Sequence, residues 1–217
     1  VHSIAGRGSG QLRMRLSEEA QGLLILGDIG SGKSQILHRY LAQLARRDEA
    51  AIVYDPAGEF TQAHYNADRG DVILNPLDGR SPFWSPTGEI KYTTDYLSVG
   101  ECFFPVPHFA KDSDRFFNEA GREIFARMLQ DRPTLAELIE WCSSPKAIDV
   151  FCTGTELQHY IDKGAKDQRG GVLATLARVV KTFRILPKAE ECGREFSLTE
   201  WAERVVNLAE ELNEKAA

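Results

Sequence analysis

The sequence predicts an α/β fold: a partial parallel sheet carrying a phosphate-binding loop (P-loop), plus an all-α domain. Three observations predict it. Short apolar runs at Leu23–Leu26, Ala51–Tyr54 and Val72–Leu74 are separated by a helical stretch at Gly32–Arg46, and strand, helix, strand at that spacing is a βαβ unit. A glycine-rich motif lies between the first run and the helix. From about residue 91 the strand pattern stops and helical stripes begin.

Taken in order, Leu23–Leu26 reads as a buried strand and Gly32–Arg46 as a helix with Ile36, Tyr40, Leu41 and Leu44 near one face. Ala51–Tyr54 and Val72–Leu74 read as the second and third strands. Pro76, Pro82 and Pro86 punctuate a junction near residues 77–95. Beyond it, Phe116, Ala120, Ile124 and Met128 share a helical face, as do Val172, Leu176, Val179 and Phe183. Thr134–Glu137 and Ser197–Glu200 have the form of capping boxes, in which hydroxyl and carboxylate each take a free N–H at a helix start. The second opens a stripe of Trp201, Val205, Leu208 and Leu212. The expected domains are an incomplete nucleotide-binding portion at 1–90, an all-α domain at 91–200 and a C-terminal helix at 201–217.

With 217 residues and a net charge of −6, the chain lacks the basic surface of a general nucleic-acid binder, although a local patch is compatible with it. Cys102, Cys142, Cys152 and Cys192 lack metal-knuckle or redox spacing, so they read as free thiols, and the five histidines are scattered. No apolar run approaches the roughly 20 residues of a membrane helix. The chain begins with valine and reads as a soluble fragment of a longer protein.

The motif is Gly27-Asp28-Ile29-Gly30-Ser31-Gly32-Lys33-Ser34, which fits G-x-x-x-x-G-K-[ST] after a strand and before a helix. Glycines let successive N–H groups turn inward toward phosphate oxygens, and the helix that follows adds its positive end. Lys33 suits the β- and γ-phosphates, and Ser34 suits Mg²⁺. The absence of an Asn-Lys-x-Asp motif points to ATP rather than GTP. Hydrolysis also needs a carboxylate at a strand end. Asp55 ends an apolar run and Glu59 follows, so both are candidate catalytic carboxylates. The simpler reading of Asp55-Pro56-Ala57-Gly58 is a turn.

These segments together resemble a family. GDIGSGKS, then IVYDPAGEF at 52–60 and VILNPLDGRSPFW at 72–84, are similar to the conjugative type IV coupling proteins, near the F-plasmid transfer branch. RFFNEAGREIFARML at 115–129 resembles the first long helix of that family's inserted helical domain, and EFSLTEW at 195–201 resembles its Phe-Ser-x-x-x-Trp segment. The resemblance implies a RecA-like hexameric ATPase anchored in the inner membrane, using ATP and Mg²⁺. It implies that the ATPase brings relaxase–DNA or protein substrates to a type IV secretion channel. The membrane helices that precede the phosphate loop in that family are not in this sequence, nor is its later Asp-Glu strand. This chain then corresponds to a cytoplasmic portion that holds ATP and lacks the hydrolytic carboxylates. DNA would be engaged through the full hexamer, and the membrane only through segments outside this sequence.

Two other readings compete. The helical half has no recognisable catalytic group and suits a docking module for relaxosome or channel proteins. A stand-alone small P-loop kinase or NTPase, with arginines drawn from Arg115, Arg122, Arg169 and Arg178, is the alternative outside conjugation. Arg178, Lys181, Arg184 and Lys188 form either a DNA-phosphate patch or an ordinary solvated face.

Overall fold

The computed structural model describes residue 19 and residues 22–106, 109 and 111–216, with side chains to residue 207. The chain divides into two compact units, Val1–Tyr65 and Asn66–Ala217.

The predicted parallel sheet is not found. Among the described residues the three apolar runs form no strands, and β pairing is limited to an isolated parallel bridge between Phe83 and Glu195. The runs expected to be buried are open instead: Leu24 is 80% exposed, Ile52 81% and Tyr54 89%. A strand exists only with a hydrogen-bonded neighbour, and an apolar run cannot specify that neighbour locally. The α/β expectation is therefore replaced by a helical architecture.

In the first unit, α1 spans Lys33–Arg46 and α2 spans Glu59–His64. Each starts behind a glycine in the left-handed region, Gly32 at φ 88° and Gly58 at φ 72°. Tyr40, Leu41 and Leu44 are half-buried, whereas Ile36 is exposed. At the end of α1 the Arg47 N–H donates to the carbonyls of Gln43 and Leu44, and its guanidinium pairs with Glu19 and Glu49, each at 2.8 Å.

The second unit is built on two long helices, α4 (Asp112–Leu129) and α7 (Lys166–Phe183). Against α4 pack α3 (Asp95–Phe103) and α7, while α5 (Leu135–Ser143) packs on α7 and α6 (Pro145–Cys152) on α5. The predicted stripes face inward. Ala120, Ile124, Met128, Val172 and Leu176 are fully buried, with Val179 and Phe183 nearly so. Phe104 and Phe125 fill the centre, and Phe103 meets Phe125 and Phe183 at ring distances of 5.6 and 5.0 Å. Each fully buried large side chain contributes about 1.5–3 kcal/mol. The Thr134–Glu137 capping box forms in full. Ser144 caps α6, with Pro145 in the first turn, where a missing N–H costs nothing.

The chain enters and leaves this helical body at one place. Phe83 N–H donates to Arg194 O at 3.0 Å, and Phe196 N–H donates to Phe83 O at 2.9 Å. α8 (Leu198–Ala216) starts just after this seam. Only the hydroxyl half of its predicted capping box forms, Glu200 N–H to Ser197 Oγ at 3.2 Å. Two other N–H donors, those of Leu198 and Thr199, go to Glu89, each at 2.8 Å. Trp201 and Val205 are half-buried, and Leu208 and Leu212 lie outside the described side chains. Among the described residues no helix is long and apolar enough to cross a membrane.

Candidate phosphate-binding site

Two glycines shape the loop Gly27–Ser34. Gly30 and Gly32 adopt φ of 81° and 88°, a region that strains any other residue. Ser31 N–H donates to Asp28 O at 3.2 Å, closing a turn. A Cβ on Gly27 would meet Ser31 Oγ at 2.6 Å, so the exposed Ser31 side chain would have to turn away to admit one.

α1 begins directly at Lys33, with Gly32 as its N-cap and no side-chain cap. The first intrahelical acceptor is Gly32 O, which takes Ile36 N–H at 3.3 Å. The N–H groups of the first turn before Ile36 therefore have no partner within the helix, and they sit at its positive end. Lys33 Nζ folds back over the loop, donating to Gly27 O at 2.7 Å and Asp28 O at 2.6 Å. Helix N–H groups, an ammonium and the Ser34 hydroxyl thus all belong to one short segment. Such a donor set suits an anion of the size of a phosphate chain.

Neither candidate carboxylate joins this set. Asp55 Oδ2 accepts Thr61 N–H at 2.7 Å and Thr61 Oγ1–H at 2.9 Å. The Thr61 N–H holds the Asp55 carboxyl below the ordinary range. Burial opposes it, and the Thr61 hydroxyl and the N–H groups of Glu59 and Phe60 add to it. Asp55 therefore tethers the first turn of α2, in keeping with the turn reading. Glu59 Oε1 lies 3.2 Å from His38 Nε2. Among the described residues no hydrogen bond links either carboxylate to Gly27–Ser34.

Sequence reasoning missed His38 and His64, whose ring nitrogens meet at 2.9 Å although 26 residues separate them. One local signal pointed to His38: it lies one helical turn beyond Ser34, on the same face of α1. The cysteines are free, as expected. Burial pushes Cys142 up to about 12 and Cys152 to about 11, which keeps both as inert thiols.

In the helical body Arg178, Lys181, Arg184 and Lys188 are all exposed. Three have neighbours. Arg178 donates to Asn118 at 3.4 Å, Arg184 donates to Ser143 at 3.2 Å, and Lys188 pairs with Glu191 at 3.5 Å.

The chain as a whole is similar to known proteins. The coupling protein TraD of Escherichia coli (strain K12) is 25% identical over 199 residues, covering 88% of this chain and 27% of TraD. Among solved structures, the bacterial conjugative coupling protein TrwBdeltaN70, in an unbound form, aligns with a TM-score of 0.67 at 21% identity, covering 81% of this chain and 42% of that one. TrwB in complex with the ATP analogue ADPNP aligns with a TM-score of 0.65 at 21% identity, covering 80% and 42%. The chain thus spans less than half the length of these relatives, and the structural likeness is one of fold. The model of the family described as the type IV secretion-system coupling protein DNA-binding domain matches residues 7–210, and the chain belongs to that family.

Proposed function

We propose that this chain is the nucleotide-holding and substrate-docking portion of a conjugative coupling protein. ATP with Mg²⁺ would be bound at Gly27–Ser34. One observation carries this: the left-handed Gly30 and Gly32 deliver the chain into a helix without a side-chain cap, with Lys33 folded across the same loop. In TrwB, solved complexes hold ADPNP, and ADP with Mg²⁺. The residues present here fit such a ligand. Lys33 and the first-turn N–H groups would hold phosphate oxygens, and Ser34 would ligate the metal. When bound, the nucleotide supplies the phosphoanhydride whose cleavage drives a motor. The chain's own part is to bind and orient it.

Family membership removes the motivation for a stand-alone kinase. The helical body, in whose sequence no catalytic group is recognisable, is then the surface for DNA and for relaxase or channel proteins. The parent would be an inner-membrane hexamer, with this portion in the cytoplasm. The test is equilibrium titration of the chain with ATP, with and without Mg²⁺. Binding is expected to tighten with Mg²⁺ in the native chain, and that gain is expected to shrink in Ser34→Ala. Binding indifferent to both would refute the site.

A further inference from the structure

Two side chains in Gly27–Ser34 carry charge, Asp28 and Lys33, so the loop as a whole is electrically neutral. The motif fixes the glycines, the lysine and the hydroxyl and leaves the position of Asp28 open. An acidic side chain there opposes the anion that the loop suits, and its carboxylate is not spent on structure. An aspartate that opens a turn ordinarily accepts an N–H two residues on. Here the turn closes through the backbone, Ser31 N–H to Asp28 O at 3.2 Å. Lys33 Nζ donates to that same carbonyl at 2.6 Å and to Gly27 O at 2.7 Å, rather than to the carboxylate. Among the described residues the Asp28 carboxylate has no hydrogen-bond or ion-pair partner, and the residue is exposed.

Covalent geometry limits how far that charge can stray. The carboxyl carbon of an aspartate lies at most about 5 Å from its own carbonyl oxygen. The Asp28 carbonyl is bonded to the ammonium, so in every rotamer the centre of the Asp28 charge stays within about 8 Å of Lys33 Nζ. Water and salt weaken a repulsion over that distance without abolishing it. The screening length is about 30 Å at about 10 mM salt and about 8 Å at physiological ionic strength.

We infer that Asp28 makes the loop selective for the magnesium complex of a nucleoside triphosphate over the metal-free nucleotide. This selectivity rests on the reading of Gly27–Ser34 as a nucleotide site. Mg²⁺ cancels about half the charge of a triphosphate. The penalty set by Asp28 is therefore about twice as large for the free nucleotide as for the complex. Ser34 favours the complex by attraction to the metal, whereas Asp28 repels the form that lacks it. The two residues thus act on affinity with opposite sign. Removing the hydroxyl weakens the complex, and removing the carboxylate charge strengthens the free form.

The test is equilibrium titration of the full chain and of Asp28→Asn, which keeps the shape of the side chain and removes its charge. Each is titrated with ATP in excess EDTA and with ATP in excess Mg²⁺. Asp28→Asn is expected to tighten metal-free ATP more than Mg²⁺·ATP. At about 10 mM salt the native preference for the complex is expected to fall about fourfold in the variant, the effect of two phosphate charges facing one carboxylate at about 8 Å. Near 0.15 M salt the same difference is expected to shrink to about twofold. An equal change in the two affinities, or no change in either, would overturn the selectivity, as would a difference insensitive to salt. Failure of the native chain to bind either form would instead refute the nucleotide site itself, and the selectivity with it.

Discussion

Glu89 accepts hydrogen bonds from both the N–H and the hydroxyl of Thr199, which lies 110 residues further along the chain. The same carboxylate also takes Leu198 N–H, Ser197 Oγ–H and the Trp84 indole N–H. Glu89 therefore caps α8 from a distance and fastens the exit of the helical body to its entry. It is nearly buried, so its loss strands several donors at once. Glu89→Ala is expected to cost on the order of 3 kcal/mol, read as a lowered urea midpoint. Burial works to raise the Glu89 pKa, but the hydrogen bonds from Thr199, Leu198 and Trp84 outweigh it and leave the carboxyl below its ordinary value. A depressed folded value contributes stability above the ordinary glutamate range, and that contribution is lost as pH falls through the folded value. The stability gap between native and Glu89→Gln chains is therefore expected to close on acidification below about pH 4.3, the unperturbed glutamate value.

Two glycines in the helical body look alike in sequence and are expected to respond differently. A Cβ on Gly121 would meet the Phe104 ring at 2.7 Å, and Phe104 is fully buried with nowhere to move. A Cβ on Gly171 would meet the Phe117 ring at 2.4 Å, but Phe117 is half-buried and its ring can swing outward. Alanine in a helix gains about 1 kcal/mol over glycine. Overpacking costs about 1–3 kcal/mol. Gly121→Ala should thus destabilise, while Gly171→Ala should be near neutral, both measured by urea unfolding.

Asp55→Asn separates tether from catalyst. Without the charge, the Thr61 contacts weaken and α2 should fray. Amide exchange at residues 59–64 is expected to speed up several-fold, with the unfolding midpoint of the helical body unchanged. An unaltered exchange rate would remove the tethering role.

The basic face gives a fourth expectation. Lys181 is exposed on α7, as are Arg178 on the same helix and Arg184 at its C-cap. If this face contacts DNA phosphates, Lys181→Glu should weaken binding and flatten its salt dependence. A gel-shift series across salt concentrations reads both.

What the sequence revealed follows from how local each signal is. The start of α1, the Thr134 cap and the apolar stripes through Ile124 and Leu176 are specified within a few residues, and all were legible. The sheet was not. The apolar runs around Leu24 and Ile52 resemble buried strands, but a strand also needs a neighbour that no local pattern supplies. Glu89 and Thr199 were illegible for the same reason, being joined only by the closure of the helical body. In the candidate site the loop itself could be read directly. The partner of Glu59 could not, because His38 meets Glu59 and His64 only once α2 has turned back onto α1.

The most direct measurement is calorimetric titration of Mg²⁺·ATP into the native chain and into Lys33→Ala. Saturable binding is expected in the native chain, weakened at least tenfold by loss of an ammonium that contacts the phosphates, about 1.4 kcal/mol or more. Equal affinity in the two chains would contradict the assignment of Gly27–Ser34 as the nucleotide site.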